Sequence, residues 1–306
     1  MAVRLIASLS FGVALLAAAP ASGAAPTILF IGNSFTFGGH AAAWKYRADT
    51  VHDLNHGGVG GVPALFKLFA DEAGLDYDVS VETSPGKTLE WHWQHEKSVV
   101  DRAWDHVVLQ DHSVLDPAHP GDPTKTIDYA GRFARLFTAR NPKVEISLTA
   151  TWSRPDYTYL KSGHWYGQPI TAMALDLQRD YKRAAAASPA IDKVNPVGRA
   201  FSCAIAAGLG DANPYDGIDA GKIDLWAYDF HHASTPGYYL TALTVFIDIT
   251  GKDPRAFGPK ERAAAELGIS PTDAVRLQRV AWANTHGTPC TRAEIGGPKV
   301  SDRPDR

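Results

Sequence analysis

The stretch Thr27-Ile28-Leu29-Phe30-Ile31-Gly32-Asn33-Ser34-Phe35-Thr36-Phe37-Gly38-Gly39 decides how the rest of the chain is read. Its apolar, β-branched run ends abruptly in Gly-Asn-Ser, so a buried strand must turn there. In an open α/β sheet, the turn at the carboxyl end of a strand is where ligands bind. Ser34 would stand at that edge with its hydroxyl directed into the crevice. Serine is equally common as a helix N-cap or turn residue, so this position alone does not assign chemistry.

A second stretch lies far downstream, Tyr228-Asp229-Phe230-His231-His232-Ala233-Ser234-Thr235-Pro236-Gly237-Tyr238-Tyr239-Leu240. An Asp and a His three positions apart can meet on one tight turn. The carboxylate then accepts the Nδ1 proton of the imidazole and leaves Nε2 free as a base. A serine supplies the nucleophile that such a base activates. The helix-like run from Ala233 to Thr250 follows at once and would hold the pair rigidly.

Gly32-Asn33-Ser34 after a first strand, and Asp229-x-x-His232 before a last long helix, resemble the first and last conserved blocks of the SGNH (GDSL-like) hydrolases. The usual first block reads Gly-Asp-Ser; here Asn33 replaces the Asp, as in a variant subgroup. The second block supplies a backbone-donor glycine, and Gly86 in Thr83-Ser84-Pro85-Gly86-Lys87-Thr88-Leu89 fits it. The third usually reads Gly-x-Asn-Asp after a central strand. Val107-Val108-Leu109-Gln110-Asp111-His112-Ser113 occupies its place, with Gln110 where the side-chain amide is expected. The resemblance covers residues 27–251. It implies Ser34, Asp229 and His232 as the catalytic set, with the Ser34 and Gly86 backbone N–H groups and the Gln110 amide around the oxyanion. Asn33, Trp152 and His231 are expected at the substrate. Physics alone leaves His231 open as the base; the Asp-x-x-His match selects His232.

Met1 to Ala25 reads as a secretory signal peptide: one cation, Arg4, then an apolar run from Leu5 to Ala19, then small residues suited to cleavage. That predicts a secreted or periplasmic protein. No later stretch is long and apolar enough to span a bilayer, so no integral membrane segment is expected after signal cleavage. Residues 26–285 suit one large α/β domain, and residues 286–306, rich in Gly, Pro and charge, read as a loose tail. A net charge of −3 lacks the basic footprint of nucleic-acid binding. The two cysteines, Cys203 and Cys290, can bridge in an oxidising compartment, though Cys203 also fits a buried thiol in an apolar helix.

Strands are predicted near 27–31, 77–82, 105–110, 144–150 and 190–196, each followed by a helical pattern. Strands that alternate with helices make parallel βαβ units, hence a three-layer α/β/α sandwich on a mostly parallel five-stranded sheet. Ser34 and the Asp229-His232 turn then emerge at the same sheet edge. Leu89 to Arg102 reads as one helix packing its indoles on the sheet. Its His92 and His95 lack the partners of a metal site, so no metal is expected. The proline-bearing loop from Asp111 to Lys125 should cover part of the site. The aromatic insertion at 151–167 should overhang the crevice, its Trp and Tyr residues either stacking on sugar rings or packing locally.

The leading functional reading is a serine ester hydrolase acting on an O-acyl group of a small molecule or carbohydrate, without a cofactor. The absence of Gly-x-Ser-x-Gly disfavours an α/β-hydrolase elbow. Two other readings use the same residues: an O-acyltransferase with a sugar acceptor, and a non-catalytic carbohydrate-binding protein on this fold.

Overall fold

The structure is a computed structural model that describes residues 24–296. The signal-peptide reading therefore lies almost wholly outside the described residues. Six strands form one parallel sheet: β1 Thr27–Gly32, β2 His52–Asp53, β3 Asp78–Thr83, β4 His106–Leu109, β5 Glu145–Thr149 and β6 Lys193–Asn195, in the order β2-β3-β1-β4-β5-β6. The sheet has one strand more than the five expected. The extra one, β2, is a two-residue edge strand of polar residues with no apolar run to announce it.

β1 is central. Ile28, Leu29, Phe30 and Ile31 are 0–1% exposed, and each such side chain contributes about 2 kcal/mol by leaving water. The pleat sends them alternately to two cores. Ile28 and Phe30 join Val108 beneath the helices Gly61–Glu72, Val197–Ala206, Thr235–Thr250 and Pro271–His286. Leu29 and Ile31 join Val107 and Leu109 beneath Thr124–Arg140 and Thr171–Ala186. These are the three layers that βαβ connectivity requires.

The helix Thr235–Thr250 anchors the first core. Ser234 caps it by accepting from the Gly237 N–H, Pro236 sits in its first turn, and Gly251 ends it in the left-handed region. Apolar residues surround it, which fits a helix buried on all sides. By contrast, the expected helix from Leu89 to Arg102 breaks at Glu96 into Leu89–His95 and Lys97–Val100.

The two cysteines are bridged: Cys203 in Val197–Ala206 joins Cys290, with Cα atoms 5.1 Å apart. Closing a loop of this length restricts the unfolded chain by about 4.6 kcal/mol. The bridge, with Ile295 buried in the short helix Arg292–Ile295, pins the described part of the segment read as a loose tail. No helix among the described residues is long and apolar enough to cross a membrane.

The chain runs from β1 out to the edge strand β2, returns to β3 beside β1, then crosses to β4 on the other side of β1. The carboxyl ends of β1, β3 and β4 thus meet where the strand order reverses, the position at which such sheets hold ligands.

Candidate active site

A cavity of about 420 Å³ opens at that edge. Phe35, Phe37, Trp44 and Pro85 give it an apolar wall; Ser34, His231, His232, His112, Ser113 and Gly86 supply its chemistry.

Ser34 begins a four-residue helix, Ser34–Phe37, capped by Asn33, whose Oδ1 accepts the Phe35 N–H at 3.1 Å. At the first helical position the Ser34 N–H has no acceptor inside the helix. Gly32 precedes this turn because a Cβ there would lie 2.6 Å from Gln110 Oε1 and closer still to Thr36. Gly39 follows it because a Cβ would stand 2.9 Å from the Ser34 Cβ and 3.3 Å from His232 Cδ2. The Tyr238 hydroxyl, one turn into the helix Thr235–Thr250, lies 3.0 Å from the Ser34 carbonyl and 3.1 Å from that of Gly39. The first and last blocks are thereby tied together.

His232 Nε2 is 2.8 Å from Ser34 Oγ, and His232 Nδ1 is 2.6 Å from Asp229 Oδ2. The other carboxylate oxygen accepts the backbone N–H groups of His231 and His232 at 3.1 and 3.0 Å. Phe230, at φ 54°, turns the chain through the left-handed region between them, a conformation that costs a bulky residue about 1–3 kcal/mol. Burial works against the Asp229 charge. The His232 ring and the two backbone donors outweigh it and hold the carboxyl at about 2. Burial lowers His232, and Asp229 only partly restores it, so the ring titrates below 6.5 and is neutral at neutral pH.

His231 lines the cavity and stacks on His232 at 4.3 Å, with no side-chain hydrogen bond among the described residues. Burial, then the Arg154 charge, push it to about 3. Arg154 is itself buried and held by Asp156 at 2.5 Å and Ser113 at 3.0 Å. On the other side of His232, His40 stacks at 4.2 Å and meets the Tyr228 hydroxyl through Nδ1 at 2.9 Å. His40, Asp229 and His232 place ligand-type atoms within 4.8 Å of one another, the one such set of three among the described residues. Two of these residues already form the chain to Ser34.

Two expected site residues, Gln110 and Trp152, lie away from the cavity, and a third, Asn33, borders it with its side-chain amide engaged elsewhere. Gln110 is 2% exposed and does not reach the cavity. Its Oε1 accepts the Asn33 N–H at 3.1 Å and the Thr36 hydroxyl at 2.9 Å, while its NH₂ turns to the Asp111 carbonyl. It therefore braces the Ser34 turn from below and presents no donor to the cavity. Asn33 borders the cavity, but its Nδ2 donates to the carbonyls of Lys87 and Asp111 at 3.0 and 3.4 Å, fastening the Gly86 loop. Trp152 is fully buried, stacked on Phe35 at 4.2 Å, its Nε1 donating to the His231 carbonyl at 3.1 Å. It supports the site from behind.

The rest of the aromatic insertion also stays out of the cavity. Trp165 is buried, with Nε1 donating to Asp176 at 2.9 Å. Only the first residues of the proline-bearing loop, His112 and Ser113, reach it; Val114 and Leu115 dive into the core. Gly86 does line it, and neither its N–H nor that of Ser34 donates a hydrogen bond among the described residues. The sequence reading missed the buried pair of Glu82 Oε2 and His92 Nδ1, 2.7 Å apart. It links the strand before the Gly86 loop to the helix after it, and the partners are too distant in sequence for spacing to reveal.

No family model matches the chain, and no curated protein is similar to it in sequence. Solved structures do resemble it. A DUF4886 family protein from Bacteroides uniformis ATCC 8492 superposes with a TM-score of 0.61 at 19% identity, over 88% of this chain and 98% of that one. A structure described as a GDSL-like lipase, from Parabacteroides merdae ATCC 43184, gives 0.51 at 16% identity, over 74% and 95%. The chain is thus built on the α/β/α fold of the SGNH (GDSL-like) hydrolases, the fold its first and last sequence blocks led us to expect.

Proposed function

We propose that this chain is an exported serine esterase that removes an O-acyl group from a small-molecule or carbohydrate ester. One observation carries the reading: the hydrogen-bonded chain Asp229–His232–Ser34, with links of 2.6 and 2.8 Å, at the floor of an apolar-walled cavity. Ser34 Oγ attacks the ester carbonyl carbon as His232 Nε2 takes its proton. Asp229 holds Nδ1–H and stabilises the imidazolium. The tetrahedral oxyanion meets the free N–H groups of Ser34 and Gly86, each such donor being worth about 3 kcal/mol of barrier. Collapse expels the alcohol, which takes the proton from His232. Water, deprotonated by the same ring, then releases the acid and restores Ser34.

Trp44 at the cavity mouth and Tyr228 beside His40 are 43% and 77% exposed. Exposed rings beside the cavity suit stacking on a sugar that carries the ester. The Cys203–Cys290 bridge suits the oxidising compartment that the signal-peptide reading implies.

The test is hydrolysis of p-nitrophenyl acetate and of acetylated sugars by the parent, Ser34→Ala and His232→Ala. Turnover abolished in both variants is the expected result. A folded parent that hydrolyses none of these esters would refute the reading, and acyl transfer to an added sugar in place of hydrolysis would move it to a transferase.

A further inference from the structure

With Gln110 turned away, the cavity has two backbone donors on the Ser34 and Gly86 loops and none yet assigned from the β4 side. β4 delivers two residues there, Ser113, whose hydroxyl oxygen accepts the Arg154 guanidinium at 3.0 Å, and His112, two positions on from Gln110. The His112 backbone N–H donates to Asp111 Oδ1 at 2.7 Å. Asp111 is buried and anchored: Oδ1 also accepts the Leu89 N–H at 2.9 Å and Oδ2 the Thr126 hydroxyl at 2.6 Å. The His112 ring accepts the Val114 N–H at Nδ1, 3.4 Å away. A nitrogen that accepts carries no proton, so the neutral ring bears its hydrogen on Nε2. Nε2 has no hydrogen-bond partner among the described residues and is not sealed from solvent.

We propose that His112, acting through Nε2–H, is the third oxyanion donor of this site, alongside the backbone N–H groups of Ser34 and Gly86. The inference rests on the esterase reading above. The surroundings keep the ring neutral: burial first, then the nearby Arg154 guanidinium, push His112 to about 4, against the weaker pull of Asp116. A neutral imidazole gives up no proton here. It donates a hydrogen bond that strengthens as charge builds on the carbonyl oxygen, which lowers the barrier more than it tightens ground-state binding.

Two measurements test this. In the first, kcat and KM for p-nitrophenyl acetate are compared among the parent, His112→Ala and His112→Asn, with circular dichroism to establish folding. His112→Ala should lose about 10²–10³-fold in kcat with KM changed only a few-fold. His112→Asn, which restores an N–H donor, should recover at least about tenfold of that loss. A folded His112→Ala within threefold of the parent overturns the proposal while leaving the esterase intact; an inactive parent fails the esterase reading itself. In the second, ¹⁵N imidazole shifts of the parent at pH 7 should show His112 protonated at Nε2 alone. Protonation at Nδ1, or a charged ring, overturns the proposal whatever the turnover.

Discussion

The turns after β1 and after β4 leave neighbouring strands at the same edge of the sheet, and they divide their polar residues in the same way. In each, the first amide is structural: Gln110 accepts the Asn33 N–H, and the Asn33 amide donates to the Asp111 carbonyl. The residues that follow reach the cavity, Ser34 from one turn and His112 and Ser113 from the other. The turns differ in what aims those residues. Ser34 starts a helix and is fixed by a cap and by Tyr238, whereas His112 hangs on a buried carboxylate. The lesson is that an amide at the right place in a block can serve as the brace for the active residue beside it.

The comparison is tested most severely at the Ser34 turn. Ser34→Ala and His232→Ala should each lower kcat/KM by 10³-fold or more, about 4 kcal/mol, and Asp229→Asn should approach that by disturbing the tautomer. Steady-state kinetics on one activated ester checks all three. If Ser34→Ala keeps its activity, the two turns no longer divide into brace and nucleophile.

The same comparison assigns Gln110 to stability. Gln110→Leu leaves the Asn33 N–H and the Thr36 hydroxyl without an acceptor, at about 1–3 kcal/mol for each group left unpaired in a buried site. The melting temperature should therefore fall by roughly 5–10 °C, while kcat measured below the transition changes by less than about tenfold, short of the loss expected from an oxyanion donor. A 10³-fold loss of kcat at unchanged stability would return Gln110 to the oxyanion.

The sequence held the information that places Gln110. Val108 packs in one core and Val107 and Leu109 in the other. A period of two puts Gln110 on the Val108 side, facing the core where Thr36 and Trp152 also lie. The strands with apolar runs were legible because β-branched and apolar residues crowd them, and the Asp229–His232 pair because a three-residue spacing closes on itself. β2 was hidden by its two polar residues, and the burial of Trp152 by packing on Phe35, far away in sequence. Long-range partners of that kind leave no periodic trace.

A smaller effect sharpens the role of Asp229. His232 must be neutral to take the Ser34 proton, so activity should fall as pH drops through its folded pKa, which burial places below 6.5. Asp229 raises that pKa. The residual activity of Asp229→Asn should therefore show its acid limb at a lower pH than the parent, because the charge that favours the imidazolium is gone. A limb that moves upward in the kcat/KM profile would mean that another group governs it.

The smallest effect separates two adjacent rings. His232 lies stacked between His40 and His231, at 4.2 and 4.3 Å. His232 has both nitrogens engaged, with Asp229 and Ser34, while the His231 side chain has no hydrogen-bond partner among the described residues. Held at about 3 by burial and Arg154, His231 is too weak a base to share the proton of Ser34. Its stacked ring offers a flat surface against which His232 faces Ser34. His231→Phe preserves that surface and should stay within about threefold of the parent in kcat/KM, whereas His231→Ala should lose roughly tenfold, about 1.4 kcal/mol, as the ring of His232 gains freedom. If instead His231→Phe matched Ser34→Ala and His232→Ala remained active, the base would be His231, and the Asp229 contact at 2.6 Å would be a brace in the way that Gln110 is.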